Sequence, residues 1–266
     1  MSGKRSNLSY HDTVEPTKQP VLLVHGFLGD ARDWDEIIAE LDADFRLIAV
    51  DLPGHGHSVG LPDAHYSIEG CASEIVDLLE DLRLAQVALC GYSMGGRLAL
   101  YLAVHYPARF SQVILESATA GLKSEQERKE RHDQDHARAN ELESSSLEPF
   151  LRDWYQQPLF SSVMGRPELF ERLIEKRRSG DRGELAKSLR LMGTGEMLPL
   201  WDSLPELPMP VLCLAGELDP KFAALARQMA IAIPNSHAAI IADAGHSLHL
   251  EAPDAYIDRV RSFLKA

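Results

Sequence analysis

Short, unbroken apolar runs alternate along this chain with longer stretches whose apolar residues recur every three to four positions. The runs are Val21–His25, Arg46–Val50, Val87–Gly91, Val113–Glu116, Val211–Ala215 and Ala238–Ala242. They are brief and rich in β-branched residues, as strands of a parallel sheet covered on both faces should be. Helical periodicity fills Trp34–Leu41, Ile68–Leu82, Met94–Tyr106, Pro220–Ile231 and Pro253–Leu264. Strand and helix in alternation predict an α/β fold: a mostly parallel, doubly wound sheet with helices on both faces and right-handed crossovers. Only Leu8–His11 reads as a strand before Val21, so the antiparallel start of the sheet is expected to be short.

From about Gly121 to Trp201 the alternation stops. No strand pattern is present there, only charged helical sequence such as Ser124–Arg138 and Pro167–Arg178, with the aromatic cluster Trp154-Tyr155. A helical excursion between two strands of an open α/β sheet predicts a cover over the strand ends, where such sheets place ligands. The expected division is therefore a core of residues 1–120 and 202–266 and a helical lid of residues 121–201.

Composition narrows the function. The chain has 266 residues, 45% hydrophobic and 25% charged, which suits one well-buried core. A net charge of −13 argues against nucleic acid or an anionic membrane as partner, yet leaves room for a local basic pocket. Cys71, Cys90 and Cys213 have no framework or metal spacing and read as reduced structural thiols. The polar stretch Met1–Gln19 lacks the apolar region of a secretory signal, and no apolar run is long enough to span a bilayer. A cytoplasmic protein, monomeric or a small homo-oligomer, is expected.

The chemistry is carried by three short motifs in order. Gly91-Tyr92-Ser93-Met94-Gly95 directly follows a strand and opens a helix, the context that G-x-S-x-G requires to expose a nucleophilic serine. The acid should follow a later strand, where Asp219 is better placed than Glu217 or Asp243. The base should come last, and His246 in Ala244-Gly245-His246 completes the order Ser, Asp, His ahead of its neighbour His249. Ser93 is a weak nucleophile and base until His246 takes its proton, while Asp219 would fix the imidazole tautomer. Developing negative charge needs preorganised donors, for which the backbone N–H groups of Met94 and Phe27 are the candidates. His25 reads as a loop-fixing residue. The histidines of Asp51–Ser58 lack further ligand spacing, so no metal and no cofactor are expected.

Arg97 lies four residues after Ser93, on the same helix face, and would bring a permanent cation suited to a carboxylate. Arg128, Arg131 and the pair Arg177-Arg178 add positive charge to the lid. Individually each suits a solvated position; together they concentrate in the segment expected to cover the site.

Several motifs carry a resemblance. H-G-F-L-G-D, D-L-P-G-H-G, G-Y-S-M-G-G-R, the lid's E-R-K-E-R, D-W-Y-Q-Q-P-L-F and G-E-L-D-P-K-F together resemble the 2-succinyl-6-hydroxy-2,4-cyclohexadiene-1-carboxylate (SHCHC) synthases of menaquinone biosynthesis, in the α/β-hydrolase superfamily. The likeness runs over nearly the whole chain from Val21 onward; the elbow and D-L-P-G-H-G are superfamily-wide, G-Y-S-M-G-G-R and D-W-Y-Q-Q-P far more specific. It implies a lyase on a hydrolase fold, which removes a proton from a succinyl-, enolpyruvyl-bearing cyclohexene carboxylate and expels pyruvate. Ser93, activated by His246, would act as base. Tyr92, Arg97, Trp154, Arg131, Arg128, Arg178 and Lys221 would bind a small tricarboxylate substrate. The competing readings are a carboxylesterase or carbon–carbon bond hydrolase with the same triad, and a ligand-binding scaffold, which an intact triad disfavours.

Overall fold

The computed structural model describes residues 5–266, so residues 1–4 of the polar opening stretch lie outside the described residues. Seven strands form one sheet: β1 (Tyr10–Asp12), β2 (Gln19–Val24), β3 (Phe45–Val50), β4 (Val87–Tyr92), β5 (Phe110–Glu116), β6 (Val211–Gly216) and β7 (Ser236–Ile241), in the spatial order β1-β3-β2-β4-β5-β6-β7. All neighbours are parallel except β1, which pairs antiparallel with β3. The expected short antiparallel start is thus a single three-residue strand, set slightly later than Leu8–His11. Leu8 itself is fully buried beside the sheet.

Continuous apolar strands exist because both faces are covered. Along β2, Leu22 and Val24 enter one core cluster while Val21 and Leu23 enter the other. The first face is closed by α2 (Ile68–Asp81), α3 (Met94–His105) and α9 (Pro220–Ala232); the second by α1 (Asp35–Leu41) and α11 (Pro253–Leu264). Trp34 belongs to a 3₁₀ turn, Ala31–Trp34, that leads into α1, because Asp30 caps that turn by accepting from the N–H of Arg32.

Between β5 and β6 the chain builds five helices: α4 (Glu125–Ser144), α5 (Leu147–Trp154), α6 (Ser161–Met164), α7 (Pro167–Arg177) and α8 (Arg182–Met192). The predicted Ser124–Arg138 helix continues to Ser144, started by a capping box between Ser124 and Glu127. These helices enclose a small core of their own, with Leu142, Phe150, Leu151, Val163, Leu173 and Ala186 inside it. The two ends of the excursion meet, the Leu200 N–H donating to Ala120 O at 2.8 Å and Trp201 Nε1 to Gly121 O at 2.8 Å, so it departs and returns side by side. The last helix before α11 is a single turn, α10 (Leu248–Glu251). No helix among the described residues is long and apolar enough to cross a membrane.

Candidate active site

The carboxyl ends of β2, β4, β6 and β7 bring Phe27, Ser93, Asp219 and His246 to one crest beneath the helical excursion. Ser93 Oγ donates to His246 Nε2 at 3.0 Å, and His246 Nδ1 donates to Asp219 Oδ2 at 2.8 Å. Both partners of the serine are buried. The competing acids lie elsewhere: Glu217 accepts only a long bond from the N–H of Asp243, and both are exposed. His249 is directed away from Ser93. It is fully buried, donates to Glu116 Oε1 at 2.7 Å and stacks on Trp34.

Ser93 sits at φ 52°, ψ −105°, a conformation that L-residues avoid. Such strain costs on the order of 1–3 kcal/mol and persists only where the surroundings over-determine it. Here the Ser93 N–H donates to Glu116 O at 2.9 Å, and the Ser93 carbonyl accepts from the Arg97 N–H at 3.0 Å. The second glycine of the motif has a packing reason. A Cβ on Gly95 would lie 2.3 Å from the carbonyl oxygen of Val24 and 2.5 Å from that of His25, so only glycine lets α3 start against the end of β2. That contact brings the Met94 N–H, which opens α3 without an intrahelical acceptor, next to the loop holding Phe27. The Phe27 N–H donates to no other described residue.

The loop that aims Phe27 is stitched by two buried histidines. His25 Nδ1 donates to Gly26 O at 2.7 Å while its Nε2 accepts from the Leu52 N–H. His55 Nδ1 donates to Pro53 O while its Nε2 accepts from the Leu28 N–H at 3.3 Å. Burial pushes His55 down to about 3, so it stays uncharged in ordinary buffers.

A cavity of about 390 Å³ opens above Ser93, lined by Phe27, Tyr92, Met94, Arg97, Arg131, Trp154, Lys221 and His246 among others. Arg97 is 6% exposed, and its guanidinium donates only to the carbonyls of Met192 (2.9 Å) and Gly193 (3.4 Å), with no carboxylate partner. Burial first, and then the charge of Arg131, lower it to about 10, so it remains a cation at neutral pH. Arg131 shares that wall but is already paired, its Nε donating to Asp135 at 2.8 Å. Trp154 packs on Phe27 with ring centroids 5.0 Å apart. Tyr92 shares a 2.6 Å hydrogen bond between its hydroxyl and that of Ser247.

Two expected substrate contacts are not brought to this cavity. Arg128 turns back along α4 to donate to the carbonyls of Leu122 and Lys123 at the helix start. Arg178 pairs with Glu175 at the exposed end of α7 and borders a separate surface depression with Glu143 and Leu147. For Arg178 the reason is local charge balance: residues 121–201 hold 15 Asp and Glu against 14 Lys and Arg, so most of the segment's arginines find acids nearby. Arg177, next in sequence to Arg178, is buried instead and donates to Asp33 at 2.9 Å, docking α7 on the core. Burial opposes its charge most, but Asp33 together with Tyr155, Tyr92 and Asp30 outweighs that and raises it further.

Sequence reading missed two groups. Lys123, over the Trp201 ring at 4.4 Å, also lines the cavity; a lone lysine at a loop start carries no spacing signal. Glu251 grips both sides of His246, accepting from the N–H of Gly245 at 2.9 Å and of Ser247 at 3.0 Å. An acid five residues after the histidine was the only available sign. Arg166, which opens α7, donates to the carbonyls of Glu251 and Asp243 and so joins the excursion to the histidine loop.

Comparison with known proteins agrees with this geometry. The family described as alpha/beta hydrolase fold matches residues 19–253. A 2-succinyl-6-hydroxy-2,4-cyclohexadiene-1-carboxylate synthase from Yersinia enterocolitica is 33% identical over 242 residues, covering 91% of this chain and 85% of that one. A relative from Bacillus subtilis (strain 168), which carries the same synthase name provisionally, is 38% identical across 92% of this chain and 90% of its own. The solved structure of MenH from S. aureus superposes with a TM-score of 0.92 at 36% identity, over 97% of both chains.

Proposed function

The chain belongs to the α/β-hydrolase fold family and, within it, to the SHCHC synthases, lyases of menaquinone biosynthesis, and we propose that Ser93, His246 and Asp219 carry its proton chemistry. In this reading Ser93 Oγ, its proton passed to His246 Nε2, takes a proton beside a carbonyl of 2-succinyl-5-enolpyruvyl-6-hydroxy-3-cyclohexene-1-carboxylate. The electrons left behind at C2 form the C2=C3 bond, the existing C3=C4 pair moves to C4=C5, and the C5–oxygen bond to the enolpyruvyl group breaks. Pyruvate leaves after its enol takes up a proton, and no acyl-enzyme forms. The N–H groups of Phe27 and Met94 hold the enolate-like oxygen, where preorganised donors act most strongly. Asp219 supports the imidazolium.

The observation that carries this reading is Arg97: a buried cation in the cavity wall, beside a second arginine and without a carboxylate of its own. A bound carboxylate would relieve that unmet charge. Arg131, Trp154, Tyr92, Lys221 and Lys123 complete the proposed anion-binding wall. Three buried free cysteines suit a reducing compartment, and we place the enzyme in the cytoplasm.

The test is pyruvate release from the enolpyruvyl substrate measured beside p-nitrophenyl acetate hydrolysis. The first should exceed the second by about 10³ in kcat/KM, from two arginine contacts worth about 2 kcal/mol each. Rapid ester turnover with a burst and no pyruvate would instead establish an acyl-enzyme esterase.

A further inference from the structure

We propose that His132, His136 and Glu196 form a binding site for a transition-metal dication of the zinc class, which clips α4 to the loop after α8. Among the described residues this is the one group of three His, Cys, Asp or Glu side chains whose donor atoms converge, all within 4.8 Å of one another. The sequence reading expected no metal anywhere in the chain, weighing only the histidines of Asp51–Ser58; this cluster lies in another part of the molecule.

Helix geometry supplies two of the ligands. His132 and His136 are one turn apart on α4, and their rings stack with centroids 4.0 Å apart. The third comes from a different segment. Glu196 Oε1 lies 3.1 Å from His132 Nε2 and 3.9 Å from His136 Nε2, so one carboxylate oxygen already faces both imidazoles. Glycine makes that approach possible: a Cβ on Gly195 would fall 2.3 Å from the backbone nitrogen of His132. The loop therefore lies directly on the helix, with Glu196 presented beside the histidine pair.

Tetrahedral zinc with bonds of about 2.0–2.2 Å spaces its ligand atoms roughly 3.4 Å apart. The present separations reach that value by small side-chain rotations. Two imidazoles and a carboxylate suit zinc and its transition-metal neighbours, whereas calcium and magnesium prefer all-oxygen sites. All three side chains are partly open to solvent, which gives the ion a path and leaves a fourth position for water.

The clip would act on a wall of the active-site cavity. The same loop begins at Gly193, whose carbonyl and that of Met192, the last residue of α8, hold Arg97. Asp135 on α4 accepts from the Gly195 N–H at 3.3 Å and from Arg131. A metal bound at the three ligands fastens α4 and the loop together where the two cavity arginines are held.

Calorimetric titration of zinc into the chelator-treated full chain tests this. The unaltered protein should bind one equivalent that the double variant His132→Ala/His136→Ala does not, and magnesium should not replace it. Glu196→Gln should weaken binding by about tenfold or more, since even outer-shell partners typically contribute that much. Amide exchange at residues 193–196 should slow with zinc in the unaltered protein alone. Metal-free melting curves of the variants should match the parent, because both histidines are half-exposed and neither lines the cavity. An unchanged zinc equivalent in the double variant, or no stoichiometric binding by the parent, would overturn the site. Binding without slowed exchange would overturn the clip.

Discussion

The crest of the sheet and the helical excursion above it hold their polar groups in opposite ways. On the crest, positions are fixed by backbone hydrogen bonds and neutral or buried partners: Ser93 by Glu116 O, the Phe27 loop by His25 and His55, the His246 loop by Glu251. In the excursion, arginines are tied to carboxylates near the surface, as Arg152 is to Glu148 and Glu171, and Arg190 to Glu143. Surface pairs contribute little each and weaken with salt. Two buried arginines mark the boundary. Arg177 has Asp33 and anchors the cover; Arg97 has no carboxylate and faces the cavity.

The harshest break of this comparison is on the crest. Ser93→Ala or His246→Ala should lower kcat for pyruvate release by at least about 10³, and combining them with Asp219→Asn should add little, because the three act as one unit. Next comes the anchor. Asp33→Ala strands the buried Arg177 charge and should lower stability by about 3–5 kcal/mol in urea denaturation. Arg97 should behave in the reverse sense. Arg97→Met should cost roughly 10- to 100-fold in kcat/KM, the worth of a charge-assisted contact, while the urea midpoint holds or rises.

Acid separates the two regions further. His55 is held near 3 in the native state against about 6.5 unfolded, so between those values the unfolded chain binds a proton that the native chain does not. Its contribution to stability is whole above about pH 6.5 and falls with acid by up to about 1.4 kcal/mol per pH unit. Urea midpoints measured from pH 7 to about 5 should show this slope, and His55→Gln should flatten it. The smallest effect belongs to the surface arginines. Arg128→Ala and Arg178→Ala should each change kcat/KM by less than about twofold, and a large loss in either would redraw the cavity.

The crest was legible in sequence because its constraints are local and ordered. The elbow needs glycine where chains touch, and the acid and base must follow the strands that present them. Ser93, Asp219 and His246 converge as their order predicts, and Asp219 over Glu217 followed from its place at the start of α9. Arg97 was legible from one helical turn of spacing. The excursion was not, since a charge run has no period that says which partner each charge will take. Arg177 and Arg178 are adjacent and chemically identical, yet one is buried on Asp33 and the other pairs with Glu175 in solvent. Only the packing of α7 against the core separates them. Helix α8 was missed for a related reason: its start depends on Asp181 accepting from the Glu184 N–H, inside a stretch without strong apolar contrast.

The side-by-side departure and return of residues 121–201 has a consequence for how such enzymes diversify. Ala120 and Leu200 are hydrogen-bonded to each other, as are Gly121 and Trp201, so the whole intervening segment hangs from two adjacent points. It is a cassette. Exchange of that segment replaces Arg131, Trp154 and the rest of the cavity wall it supplies, while Tyr92, Arg97 and Lys221 stay with the core and Ser93, Asp219 and His246 keep strands hydrogen-bonded independently of it. The part of the cavity wall that this segment supplies can therefore be exchanged while the sheet beneath is kept.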